Sequence, residues 1–306
     1  MKILLTGASS FTGLWFARAL AEAGHELVLP LPRAPVDYRE EPRAGRVRQL
    51  ARIAAPIWNT RFGDDRFLAL VRDQPFDILA HHAAQVGDHR AADFDVPGAV
   101  AANTHRIDAV LEAMRARGLR GMIATASVFE PDTGAGETPL RAVSAYGLSK
   151  GLSGQIIRHH CRTLGIALAR FVLPNPFGAF EEPRFCTYLV RSWQRGLTAE
   201  IRTPLYVRDN LPVRLAAARY AAAVDALAGG DAPAEIAPSG FVESQGCFAE
   251  RLARELGPRL GVPTPLHLCA QTDFSEPMTR VNTEPLTADP ATLAQCWDEH
   301  AAFYAT

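Results

Sequence analysis

Lys2-Ile3-Leu4-Leu5-Thr6-Gly7-Ala8-Ser9-Ser10-Phe11-Thr12-Gly13 stands at the start of the chain and decides how the fold is read. Lys2 to Leu5 is a short apolar run with the length and flanks of a buried parallel strand. The helical apolar pattern Leu14, Phe16, Ala17 and Leu20 follows, closed by Gly24. Strand, glycine-rich turn and helix in that order make a dinucleotide site, because backbone N–H groups at a helix N-terminus approach a pyrophosphate only where side chains are absent. The cradle is assigned to Gly7, Ser9, Ser10, Phe11, Thr12 and Gly13. Ser10 occupies the middle glycine position of the usual TGxxGxxG pattern, and its hydroxyl is expected to donate to the phosphate.

The remaining composition narrows the class. The chain has 306 residues, 48% hydrophobic and 21% charged, enough for one large core or two smaller ones. With 32 basic and 33 acidic residues the net charge is −1, and no basic cluster interleaves with aromatics. Neither a nucleic acid nor a membrane surface is therefore an expected partner. The five cysteines are scattered without CxxC spacing, which argues against a disulfide framework or structural zinc and fits a reducing cytoplasm. No apolar run reaches membrane-spanning length, and the opening residues break into Gly and Ser too soon for a signal peptide.

The second strand, Glu26 to Leu29, leads into Pro30-Leu31-Pro32-Arg33. An NAD site carries an acidic residue there for the ribose 2′-hydroxyl; Arg33 suits a 2′-phosphate instead, so the expected cofactor is NADP(H), with NAD the alternative. Residues 36–55 show poor periodicity and receive no assignment. A strand Ile78 to Ala80 runs into His81-His82-Ala83-Ala84, where small residues let a cofactor lie against the backbone. The adjacent histidines point to opposite sides of a strand end, so no metal is expected. Residues 96–117 read as one long helix containing Asn103 and stopped by Gly118.

The strand Gly121 to Ala124 delivers Thr125, and Ser144 to Leu164 reads as a helix bearing Tyr146-Gly147-Leu148-Ser149-Lys150. Tyr146 and Lys150, four apart, share one face. A fixed cation beside a phenol whose ordinary pKa is near ~10 favours the phenolate, fitting it to trade protons with an alcohol or carbonyl. Thr125 supplies a hydroxyl for the same substrate oxygen.

TGASSFTG at Thr6 to Gly13, GDD at Gly63 to Asp65, DILAHHAA at Asp77 to Ala84, Asn103, TASVF at Thr125 to Phe129 and YGLSK occur in the order of the extended short-chain dehydrogenase/reductase family. The chain resembles that group of nucleotide-sugar epimerases, dehydratases and reductases from Met1 to about Asp225. The resemblance implies a Rossmann-type doubly wound parallel sheet with a smaller C-terminal α/β substrate-binding domain. It divides the chain into a cofactor domain at 1–173 with about 205–230, and a substrate domain at 174–204 and 231–306. It also implies Asp64 near the adenine, His82, Ala83, Ala84, Asn103 and Pro174 around the cofactor, and Lys150 on the nicotinamide ribose. Tyr146 is then the general acid/base and Thr125 its hydroxyl partner, with Ser127 the fallback. Pro174-Asn175-Pro176-Phe177-Gly178-Ala179 resembles the family's NPxGA segment, which points to Asn175 on the sugar diphosphate. Tyr206-Val207-Arg208-Asp209-Asn210 resembles its RDF/Y-I-H stretch, with Arg208 on the diphosphate and Pro212 in place of the usual His. Gln85, His89 and Arg280 are assigned to the sugar pocket.

The resulting expectation is an NADPH-dependent reductase of a nucleotide-activated keto-sugar. An epimerase retaining NAD and a non-catalytic NADP-binding regulator are the alternatives. A dehydratase is disfavoured because Ala126 and Ser127, not an acid, follow Thr125. By analogy the protein is a cytoplasmic homodimer, paired through the two long helices.

Overall fold

In the computed structural model, residues 1–87 and 93–305 are described, so His89 lies outside them. The chain forms two compact units. The first comprises Met1–Thr133, Arg141–Val172 and Ala217–Ile236; the second comprises Gly134–Leu140, Leu173–Ala216 and Ala237–Thr306.

The first unit is a six-stranded sheet in the order Glu235–Ile236, Ala167–Leu173, Gly121–Ser127, Ile78–His81, Lys2–Thr6, Glu26–Val28. The first strand pairs in parallel with two others, in registers Lys2↔Glu26 and Ile3↔Ile78; Ile78↔Gly121 and Glu235↔Arg170 are parallel too. This is the doubly wound Rossmann arrangement, with both sheet faces covered. On one face Leu4, Leu79, Met122 and Ala124 pack with Phe67, Val71, Val110, Met114 and Ile157. On the other, Phe16 stacks on Tyr220 at 3.9 Å and meets Phe171 edge-on at 5.9 Å.

Two expectations about this unit need correction. Residues 96–117 form two helices, Val96–Asn103 and Ile107–Ala116, because the Asn103 carbonyl faces His81 Nε2 at 3.3 Å. The Ile107 N–H turns to the Thr104 carbonyl instead, and Arg106 takes a left-handed conformation at φ 49°. The division of the chain also differs. Residues 205–216 belong to the second unit because Val207–Pro212 pairs within its sheet, and Glu235–Ile236 belongs to the first because it pairs with Ala167–Leu173. The unassigned stretch contains a short 3₁₀ turn, Pro35–Asp37, and a helix, Arg43–Leu50.

The second unit holds a mixed sheet ordered Phe241–Ser244, Val207–Pro212, Thr279–Val281, Ala135–Gly136, with Asn175–Phe177 also paired to Val207–Pro212. Its core is aromatic: Phe177 lies 5.1 Å from Trp297 and 5.2 Å from Phe248. Beside it the buried Glu181 carboxylate accepts from His300 Nε2 at 2.8 Å and from the Tyr304 hydroxyl at 2.5 Å. All five cysteines are free thiols. Among the described residues no helix is long and apolar enough to cross a membrane.

The first helix, Phe11–Glu22, begins under the turn, and a Cβ at Gly13 would lie 2.2 Å from the Gly7 carbonyl oxygen. That atom is backbone and cannot step aside. Gly13→Ala is expected to destabilise the protein by about 1–3 kcal/mol or more, read as a lowered urea midpoint.

Candidate active site

The glycine-rich turn is built as the sequence predicts. Ser10 is the N-cap of Phe11–Glu22, its Oγ accepting the Gly13 N–H at 3.1 Å, so a polar group closes the helix start. Behind the turn, the fully buried Arg46 donates through Nε to the Ser9 carbonyl at 2.9 Å. The sequence reading missed Arg46, which lies in the stretch without clear periodicity. A cradle without side chains at Gly7 and Gly13, a capped helix N-terminus and a buried guanidinium make a site fitted to an anionic dinucleotide. Arg33 is exposed beyond the second strand. Asp64, assigned to the adenine, caps the helix Asp65–Asp73 by accepting from Phe67 N and also accepts from Arg61 N.

The end of the third strand is fastened by Thr6. Its Oγ1 accepts from the backbone N–H of His82 at 3.1 Å and of Ala83 at 3.0 Å, leaving its proton for His81 Nδ1 at 3.2 Å. His81 Nε2–H then donates to Asn103 O, which fixes its tautomer. Asn103 is 5% exposed: its Oδ1 accepts the Gln85 N–H at 2.7 Å and its Nδ2 donates to Ser153 Oγ at 3.2 Å. It is thus a tie between the loop after the third strand and the helix of Tyr146 and Lys150. Gln85 itself is exposed, and Ala84 half-buried beside it. His82 turns the other way, as alternation requires, toward Ser10, Thr12 and Thr125.

The helix Ala145–Leu164 is capped by Ser144, whose Oγ accepts the Gly147 N–H. Gly147 is required by proximity: a Cβ there would lie 2.3 Å from the Phe129 carbonyl oxygen. This approach seats the first turns of the helix against the end of the strand Gly121–Ser127. Lys150 Nζ donates to the Thr125 carbonyl at 2.5 Å, which joins two of the three residues assigned to catalysis. Tyr146, in the first turn, is half-buried and meets Phe94 edge-on at 6.2 Å. Ser127 is spent on the turn after its strand, where its Oγ accepts the Phe129 N–H.

A small cavity beneath the strand end is lined by Lys150, Asn103, Ser153, Glu130 and Arg170 among others. Burial lowers the Lys150 pKa; Glu130 pulls it back up and Arg170 opposes. Glu130, 1% exposed, accepts from the Ser127 N–H and from Arg170. Neither Glu130 nor Arg170 was singled out from sequence as part of the lysine's surroundings. Their signal was faint, one charge just after the strand Gly121–Ser127 and one within the strand Ala167–Leu173.

In the second unit, Asn175 starts the strand Asn175–Phe177, in register with Asn210, and Pro174 precedes it. Arg208 donates to the carbonyls of Val207, Pro277 and Met278 and pairs with Glu276 at 2.8 Å. Arg280 is 1% exposed in the neighbouring strand.

The sequence matches the model of the NAD dependent epimerase/dehydratase family over residues 3–230. A comparison with curated proteins finds no match. Among solved structures, the UDP-glucuronic acid 4-epimerase of Bacillus cereus, in complex with UDP-glucuronic acid and NAD, superposes with a TM-score of 0.74 at 17% identity, covering 99% of each chain. The UDP-glucose-4-epimerase of Stenotrophomonas maltophila, with bound NAD and formylated UDP-arabinopyranose, gives 0.76 at 19% identity, covering 99% of this chain and 98% of that one. DesIV, a dTDP-glucose 4,6-dehydratase of Streptomyces venezuelae with NAD bound, gives 0.70 at 17%, covering 97% and 96%. At these identities the likeness is one of fold.

Burial pushes the His81 pKa down to about 4 and that of His82 to about 3; Lys150 adds to both, and the Asn103 carbonyl partly offsets the first. The unfolded chain therefore binds protons from about pH 6.5 downward that the folded one refuses. Stability is full above that pH and is expected to erode as pH falls toward 4. Urea midpoints at pH 7, 5.5 and 4.5 should fall in that order, and less steeply in His82→Gln.

Proposed function

Because this chain belongs to the NAD-dependent epimerase/dehydratase family, we propose that it is an oxidoreductase of a nucleotide-activated sugar, reducing a sugar ketone with Tyr146 as general acid. The observation that carries this reading is the capped Tyr146 helix, seated by Gly147 against Phe129 so that Lys150 reaches the Thr125 carbonyl.

Gly7, Ser9, Ser10, Phe11, Thr12 and Gly13 would hold the dinucleotide pyrophosphate, with Ala83 and Ala84 beside it and Lys150 on the ribose. Bound there, a nicotinamide dinucleotide supplies the hydride. Tyr146 gives its phenolic proton to the carbonyl oxygen, and Thr125 donates a hydrogen bond to the same oxygen as charge develops. Lys150, held as a cation close by, favours the phenolate that remains. Elimination of water fits poorly, since the nearest acid after Thr125, Glu130, has its carboxylate committed to Arg170 and the Ser127 N–H.

Asn175, Arg208, Gln85 and Arg280 remain the proposed substrate contacts, the sugar diphosphate falling to the first two. Arg208 must exchange at least one present partner to bind it; Glu276 is the exposed one. The proposed homodimer pairs through the helical stretch 96–117 and the helix Ala145–Leu164, on the second of which Leu148 and Leu152 are exposed at 40% and 43%. A cytoplasmic setting is part of this reading.

The cofactor separates reductase from epimerase. Arg33, with no acid at the end of the second strand, supports exchange of NADPH at each turnover. A second reading, an epimerase that retains NAD, is favoured by the NAD bound in the structural neighbours. Arg33→Ala is expected to weaken NADP binding about tenfold and leave NAD binding unchanged, measured by calorimetry; the retained-NAD reading predicts protein that purifies with NAD and is indifferent to Arg33.

Tyr146→Phe is expected to lower turnover about 10²-fold or more with cofactor affinity within about threefold of wild type. The assay follows loss of reduced-cofactor absorbance on adding keto-sugar nucleotides, and retention of more than a few per cent of the rate contradicts the assignment.

A further inference from the structure

His82 has three hydroxyl neighbours, and the proposed chemistry uses only one of them. Its Nε2 lies 3.0 Å from Ser10 Oγ and 2.9 Å from Thr12 Oγ1, while Nδ1 lies 3.0 Å from Thr125 Oγ1. The direction of the bond on one side of the ring sets the direction on the other. Ser10 Oγ accepts the Gly13 N–H through one lone pair and has its own proton to offer to His82 Nε2, one of the two directions open to that contact. A neutral imidazole that accepts at one nitrogen carries its proton on the other. With the Ser10 proton on Nε2, Nδ1–H donates to Thr125 Oγ1, and the Thr125 proton is left for a substrate oxygen. The Tyr220 hydroxyl, buried on the same face, is also a neighbour of Thr125, and a substrate oxygen would take the Thr125 proton in its place. Phe16 meets the His82 ring edge-on at 5.0 Å and restrains its plane.

We propose that His82 is a positioning residue, which carries the bonding pattern of the dinucleotide turn across to Thr125 and aims the threonine proton at the substrate. The inference rests on the assignment of Thr125 above, and it adds to that assignment the group that orients it. The ring is held neutral by burial, with Lys150 and His81 adding to the effect, so the direction of the relay does not change over ordinary pH. No proton is consumed; the same four hydroxyl and ring protons are kept throughout the cycle.

Two variants divide the imidazole. His82→Asn places an amide nitrogen where Nδ1 stands and loses the turn, whereas His82→Gln reaches the turn and loses Thr125. Expected is a drop in kcat of about 3- to 10-fold for His82→Asn, which keeps a donor to Thr125, and a larger one of about 10- to 100-fold for His82→Gln, with KM within about threefold in both. Equal losses in the two, or losses confined to KM and cofactor affinity, overturn the proposal. Nitrogen-15 spectra of histidine-labelled wild-type protein at pH 7, assigned by the signal absent from His82→Asn, test the wiring without turnover. A neutral ring protonated at Nδ1 is expected; an Nε2–H tautomer or an imidazolium overturns it. If the spectra agree while no nucleotide sugar is turned over, the fault lies with the proposed function and the relay stands.

Discussion

The hydroxyl of Thr6 is the joint on which the first unit depends. At 2% exposure it accepts two backbone N–H groups from the end of the third strand and gives its proton to His81. A valine of the same shape would leave two buried donors and a ring nitrogen without partners, a cost of about 1–3 kcal/mol for each such group. The bond pattern also sets geometry, because it draws Ala83 against Gly7, where no side chain intervenes. From His81 the connection continues through the Asn103 carbonyl, and Asn103 continues it to Ser153. Ser153 donates to the Ser149 carbonyl, and Ser149 to that of Tyr146. The strand that opens the chain and the helix that carries the phenol are thus parts of one buried polar network.

Such networks are costly when incomplete, since the interior strengthens a satisfied bond and penalises an orphan equally. Here the tautomer of one ring, His81, follows from its neighbours. The two histidines differ accordingly. His81 faces the Asn103 side and fastens structure; His82 faces the turn side and touches the hydroxyl assigned to catalysis. One residue of register separates the two roles.

The sheet was legible from the sequence because its strands are short apolar runs between glycine and small polar residues, and the helix start at Ser144 was written in residue type, whereas the caps at Ser10 and Asp64 were read as ligand contacts. The break after Asn103 was not, since the periodicity of 96–117 runs through it. What interrupts the helix is a carbonyl engaged by a histidine 22 positions earlier in the chain. Arg46 escaped notice for a related reason: an arginine-rich stretch reads as solvated charge, and only packing against Ser9 reveals a fully buried guanidinium. Local pattern predicts the elements, but long-range polar pairing decides where they end and which charges turn inward.

The same balance explains how a lysine can be kept beneath the strand end. Burial alone works against its positive charge, and the nearest opposite charge, Glu130, is itself inside. Glu130 is held by Arg170, and Arg170 by the more exposed Glu235. The charges alternate in sign from Lys150 outward to solvent, so no buried ion stands alone. If Glu130 were neutral, the desolvation acting on Lys150 would be opposed by hydrogen bonds such as that to the Thr125 carbonyl, without an opposite charge beside it. Glu130 is, by its contacts, part of what keeps the lysine charged.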